Sequence, residues 1–147
     1  MSIGAKQLSE LAEGDYKMCL LAEKDFPDEY AVRGAVYHLQ QAIEKVMKAA
    51  VLLNGETPPF THNIGTLAAR CKKLGVSFSE EYEAVYDAVS FWESSSRYDP
   101  YFTFTEKAYQ QAKGLYMEAA EKINTILEGI LNLNKSEENP QNGKNSQ

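Results

Sequence analysis

Residues 28–54, Asp28-Glu29-Tyr30-Ala31-Val32-Arg33-Gly34-Ala35-Val36-Tyr37-His38-Leu39-Gln40-Gln41-Ala42-Ile43-Glu44-Lys45-Val46-Met47-Lys48-Ala49-Ala50-Val51-Leu52-Leu53-Asn54, decide the fold. Val32, Ala35, Val36, Leu39, Ala42, Ile43, Val46, Met47, Ala50 and Leu53 recur at steps of three and four. At ~100° per residue they cover a little under half of a helix surface. The remaining arc holds Tyr37, His38, Gln40, Gln41, Glu44, Lys45 and Lys48. Glu44 precedes Lys48 by one turn, the favourable order for an ion pair. Gly55 follows where a helix-terminating glycine belongs.

The same period extends outward in both directions. A segment from Gln7 to Lys24 carries Leu8, Leu11, Ala12, Cys19 and Ala22, interrupted by Gly14. Phe26-Pro27-Asp28 separates it from the central helix, because a residue before proline avoids helical backbone. Downstream, Pro58-Pro59 stiffens a loop, and Thr61 or Asn63 caps a short third helix bearing Ile64, Leu67, Ala68, Cys71 and Leu74. Lys72, Lys73 and Gly75 mark its end. Ser79 is placed as the cap of a fourth helix with Tyr82, Val85, Tyr86, Val89 and Trp92 inward, ended by Ser94-Ser95-Ser96. Arg97 to Phe104 reads as a loop. Thr103 and Glu106 make a capping box for a fifth helix that reaches Leu133. Residues 134–147 are polar and read as a disordered tail. The expectation is one all-α domain over residues 1–133, an up-and-down bundle of about five helices.

Composition narrows the function classes. The chain has 147 residues and a formal net charge of −6, with a pI near 5.0. An acidic chain gains little from bulk attraction to phosphate backbones or anionic membranes, so any anion contact needs a local basic patch. Cys19 and Cys71 form no metal-type spacing and read as small core residues. No cofactor or metal is expected. No apolar stretch approaches the ~20 residues of a membrane span, and the first residues lack a secretory pattern. A cytoplasmic location is expected.

Three elements together resemble a known family. Tyr37-His38-Leu39-Gln40-Gln41-Ala42-Ile43-Glu44-Lys45-Val46-Met47-Lys48-Ala49 resembles the signature helix of HEPN domains. Pro58-Pro59-Phe60-Thr61-His62-Asn63-Ile64 resembles their Pro and Thr-His-Asp-Leu element. Arg97-Tyr98-Asp99-Pro100 resembles their basic-Tyr-x-Pro element. The resemblance implies a helical bundle that forms a homodimer and works with nucleotides or RNA. In many relatives it is paired with a small nucleotidyltransferase as a toxin–antitoxin system. It leaves three functional readings open: a non-catalytic or regulatory nucleotide- or RNA-associated dimer, a metal-independent endoribonuclease toxin, and a helical protein-interaction module. Ribonuclease members carry an arginine followed after four to six residues by a histidine. Counting from Arg97, those positions are Phe102, Thr103 and Phe104, none of which carries a proton near neutral pH. The catalytic residue is therefore unknown.

Candidate residues follow, each with a plainer alternative. Arg97 can hold phosphate with its planar fork, or be a surface arginine that pairs with Asp99 or caps the carbonyls of the fourth helix. Lys45 and Lys48, with Gln41, form a second phosphate candidate, or a solvated helix face. His38 and His62 are the only histidines and the only side chains placed to carry protons near neutral pH. The plainer role for His62 is a backbone bond near the third helix, and for His38 a solvent or dimer contact. Trp92, Tyr98, Tyr101, Phe102 and Phe104 exceed what a small core needs and are read as contacts to a second copy.

Overall fold

The computed structural model describes residues 4–138, and the described residues contain five α-helices, one 3-10 turn and no strands. The helices are α1 (Ala5–Glu23), α2 (Glu29–Leu53), α3 (Ile64–Lys73), α4 (Tyr86–Tyr98) and α5 (Glu106–Glu138). A 3-10 turn, Glu80–Val85, leads into α4. Residues 139–147 of the predicted tail lie outside the described residues, and the backbone of α5 continues as helix beyond Leu133.

α2 is the axis of the bundle and packs against α1, α3, α4 and α5. Its predicted stripe is the core: Ala35, Val36, Leu39, Ala42, Ile43, Val46, Met47 and Ala50 are all buried. Asp28 caps the helix by accepting from the Ala31 amide at 3.0 Å. Gly55 ends it at φ +78°, and Glu56 N–H returns to the Val51 carbonyl. Gly75 ends α3 in the same way at φ +93°, with Val76 N–H on the Cys71 carbonyl. A side chain at either glycine would strain this left-handed backbone.

Cys19 and Cys71 are buried core thiols without a disulfide. Cys71 donates to the Met47 carbonyl, and burial pushes its thiol up to about 11. Burial likewise raises Cys19, which sits 3.2 Å from the Tyr109 hydroxyl. Neither presents a thiolate near neutral pH.

Three local expectations need correction. The serine run does not end α4, because Ser95 and Ser96 donate their hydroxyls to the Phe91 and Trp92 carbonyls one turn back. The helix stops where Asp99 turns extended before Pro100, which puts Arg97 in its last turn rather than in a loop. Ser79 does not cap through its side chain: its hydroxyl and amide both bind Glu118 on α5, at 2.6 and 3.1 Å. The cap of α5 is Thr105, which accepts from Ala108 N–H at 3.1 Å, so the capping box at Thr103 does not form.

Candidate functional site

Arg97 is held by its own helix. Its Nε–H donates to the Glu93 carbonyl at 2.9 Å, and its Nη2 meets the Glu93 carboxylate. The guanidinium carbon lies 5.0 Å from the Tyr37 ring centroid on α2 and 4.8 Å from the Tyr98 ring. Two aromatic faces therefore fix the plane of the charge. The side chain remains 38% exposed, so its outer edge faces solvent. Arg33 braces the same end of α4 from α2, donating to the Ser96 carbonyl at 3.1 Å and the Pro100 carbonyl at 3.4 Å. The Ser96 carbonyl is one of the unpaired acceptors of the α4 C-terminus, where a cation is favourable.

His62 enters from the loop before α3. Its Nδ1 lies 2.6 Å from Oε1 of Glu44, whose side chain is only 6% exposed. A carboxylate accepts only, so Nδ1 carries the proton and Nε2 is left as the outward nitrogen. Nε2 is 3.9 Å from Oε1 of Glu93, the carboxylate oxygen that Arg97 also meets. Lys48 Nζ completes the group at 3.8 Å from Glu44. An imidazole with one nitrogen fixed on a buried carboxylate and the other turned outward is oriented for proton transfer.

A second polar cluster occupies the α1 side of the α2 arc. Asp15 takes His38 Nδ1 at 2.9 Å on one oxygen and Lys45 on the other. Lys45 also reaches Gln41 Oε1 at 3.5 Å, and Gln41 donates to Gln40 at 2.7 Å. Gln40 is fully buried, and its amide nitrogen has no partner among the described residues. The His38 ring lies edge-on to Tyr37, at 5.4 Å between centroids, so Tyr37 separates His38 from Arg97.

The arc that read as solvated is thus largely covered. Every cation proposed from the sequence already has a carboxylate: Glu93 for Arg97, Asp15 for Lys45 and Glu44 for Lys48. His62 binds a side chain from α2 rather than backbone, and His38 binds Asp15. Arg97 pairs with Glu93, while Asp99 instead accepts from the Tyr101 amide at 2.9 Å.

Among the aromatics, Trp92 lies in the core of its own chain and leaves no side-chain surface for a second copy. Phe102 and Phe104 are half-buried, with Phe104 packed on Phe26 and Tyr109. Tyr98 and Tyr101 are exposed, and so are Phe60 and Phe91, which the sequence reading did not single out. Phe91 and His62 share a shallow groove of about 430 Å³ with Asn63, Asp87 and Ser90. Two other clefts, of about 500 and 540 Å³, contain none of the residues proposed from the sequence.

Glu93, Asp15 and the stacking role of Tyr37 were missed. The Glu93–Arg97 spacing of four was a readable signal; the contact of α1 with α2 that brings Asp15 in was not. Among the described residues, no group of three or more His, Cys, Asp or Glu side chains is arranged to hold a metal ion, and no helix is long and apolar enough to cross a membrane.

No curated protein and no solved structure matches the chain. The sequence model of the HEPN domain matches residues 6–135, which takes in nearly all of the five helices and each polar side chain described above. The chain therefore belongs to the HEPN domain family, whose role is associated in general with nucleotides and RNA.

Proposed function

We propose that the chain is a phosphate-recognition module that binds RNA or a nucleotide at Arg97. In this reading it acts as a cytoplasmic homodimer, regulates rather than catalyses, and pairs with a nucleotidyltransferase partner in a toxin–antitoxin system. The observation that carries the reading is the Arg97 guanidinium, fixed between two tyrosine rings with its outer edge exposed and His62 across the same carboxylate. Such a fork suits two-point binding of a phosphate oxygen pair. Lys45, Lys48 and Gln41 are committed to internal partners and take a secondary part at most. Fluorescence anisotropy with a labelled oligoribonucleotide tests it. Binding that falls at least about tenfold in Arg97→Ala supports the reading; equal binding removes Arg97 from the site.

One observation favours a second reading, metal-independent RNA cleavage. The histidine missing after Arg97 has a spatial counterpart in His62, oriented by Glu44 and facing the Glu93–Arg97 pair within one chain. In that chemistry His62 Nε2 takes the proton of a ribose 2′-hydroxyl as its oxygen attacks the adjacent phosphorus, the P–O5′ bond breaks to leave a 2′,3′-cyclic phosphate, the departing 5′-oxygen takes a proton from water, and Arg97 stabilises the charge that builds on phosphate. Cleavage that persists in chelator and disappears in both His62→Ala and Arg97→Ala would favour it. No cleavage by a chain that binds RNA would leave the regulatory reading.

A further inference from the structure

We infer that Glu93 is an internal anion standing at the phosphate position, and that a phosphate group binds here by displacing it. The inference rests on the phosphate reading of Arg97. The Glu93 carboxylate uses one oxygen, Oε1, to face both Arg97 Nη2 and His62 Nε2. Among the described residues its Oε2 and the Arg97 Nη1 have no hydrogen-bond partner. A single-point pair between residues four apart on a helix is among the weaker ion pairs. A phosphodiester can engage the same fork at two points with its two non-bridging oxygens, and a terminal phosphate adds a third oxygen and further charge.

The frame that holds the Arg97 and His62 side chains does not need this carboxylate. Arg97 stays anchored by Nε–H on the Glu93 main-chain carbonyl and by the rings of Tyr37 and Tyr98. His62 stays anchored by Glu44. Glu93 can therefore swing away by side-chain rotation while the guanidinium and imidazole keep their places. In a chain of net charge −6, such a carboxylate also sets a threshold. Only an anion that binds the fork better than Glu93 enters, which discriminates phosphate from simple carboxylates and halides.

The test is binding of a labelled oligoribonucleotide in chelator to the wild type, Glu93→Gln, Arg97→Ala and the Glu93→Gln/Arg97→Ala double variant. Glu13→Gln serves as a control for bulk charge, since Glu13 sits on the exposed face of α1 paired only with Lys17. Glu93→Gln is expected to bind about tenfold tighter than the wild type, as removal of a like charge beside the bound anion requires. The gain should vanish in the double variant. Glu93→Asp, which draws the carboxylate back by one methylene, should shift affinity the same way and decides the matter if Glu93→Gln melts early.

Wild-type affinity in both Glu93 variants, with binding still lost in Arg97→Ala, would overturn the displacement alone. An equal gain in Glu13→Gln would overturn it too, by making bulk charge the cause. No binding by the wild type or by either Glu93 variant would overturn the phosphate reading and this inference with it.

Discussion

Glu44→Ala tests whether the buried polar seam holds the domain together as well as orienting His62. Glu44 is nearly inaccessible, and its Oε1 takes His62 Nδ1–H at 2.6 Å and faces Lys48 at 3.8 Å. Losing a hydrogen bond with a charged partner costs about 1.5–3 kcal/mol. The longer, partly exposed Lys48 pair adds about 0.3–0.5 kcal/mol. The one buried methylene that alanine lacks adds about 0.8 kcal/mol. Against this, the carboxylate no longer has to be desolvated, which returns on the order of 2 kcal/mol. The net loss is about 1–2 kcal/mol, and for a domain of this size that lowers the melting temperature by about 3–6 °C. Glu44→Gln keeps the shape and an acceptor oxygen for His62, so its loss should be about half as large. Circular dichroism melts and urea titrations of the three proteins give the answer. Glu44→Ala within about 1 °C of wild type, or Glu44→Gln below Glu44→Ala, would refute the reasoning, because the contact geometry would then carry no stability.

Leu39 is fully buried on the axis helix, so Leu39→Ala should cost about 2–5 kcal/mol, read as a lower urea midpoint with an unchanged slope. Glu118 is a pH test. Burial pushes its carboxyl up, but the Ser79 hydroxyl and amide and the Lys122 charge outweigh that and hold it below its ordinary 4.5. A depressed carboxyl stabilises the fold above the unfolded value and loses that contribution as pH falls through the folded one. Carbon-13 titration should find Glu118 below 4.5, and Ser79→Ala should move it upward and weaken the acid dependence of stability. A wild-type value at or above 4.5 would sink this account of Ser79.

Periodicity alone was enough to read the bundle. The α2 stripe from Val32 to Leu53 and the stop signals at Gly55 and Gly75 all act as their residue types dictate. Asp28 and Asn63 cap their helices for the same reason. The serine run misled because Ser95 and Ser96 can either compete with a helix or bond back into it, and local sequence does not decide which. At Thr103 and Thr105 two residues of one type stood in competition, and the fold of the aromatic loop chose the second.

The site was legible as residues and illegible as wiring. Arg97, His38 and His62 stand out by chemistry. Their partners were hidden because Glu44 lies 18 positions from His62 and Asp15 lies 23 from His38, distances that helix packing closes and sequence spacing does not encode. Trp92 reads two ways, inward by its spacing from Val85 and Val89 and outward as one of an excess of aromatics; it is buried, as the spacing required.

The most direct test of the central claim is to watch the Arg97 side chain while phosphate is added. Nitrogen-15 spectra of the arginine Nε–H groups should be recorded with 5′-adenosine monophosphate titrated into wild type and Arg97→Ala. The account predicts that the Arg97 signal shifts and saturates, that His62 ring signals shift with it, and that Arg33 moves little. Shifts confined to other cations, such as Lys72 and Lys73 on α3, with Arg97 unmoved, would contradict it.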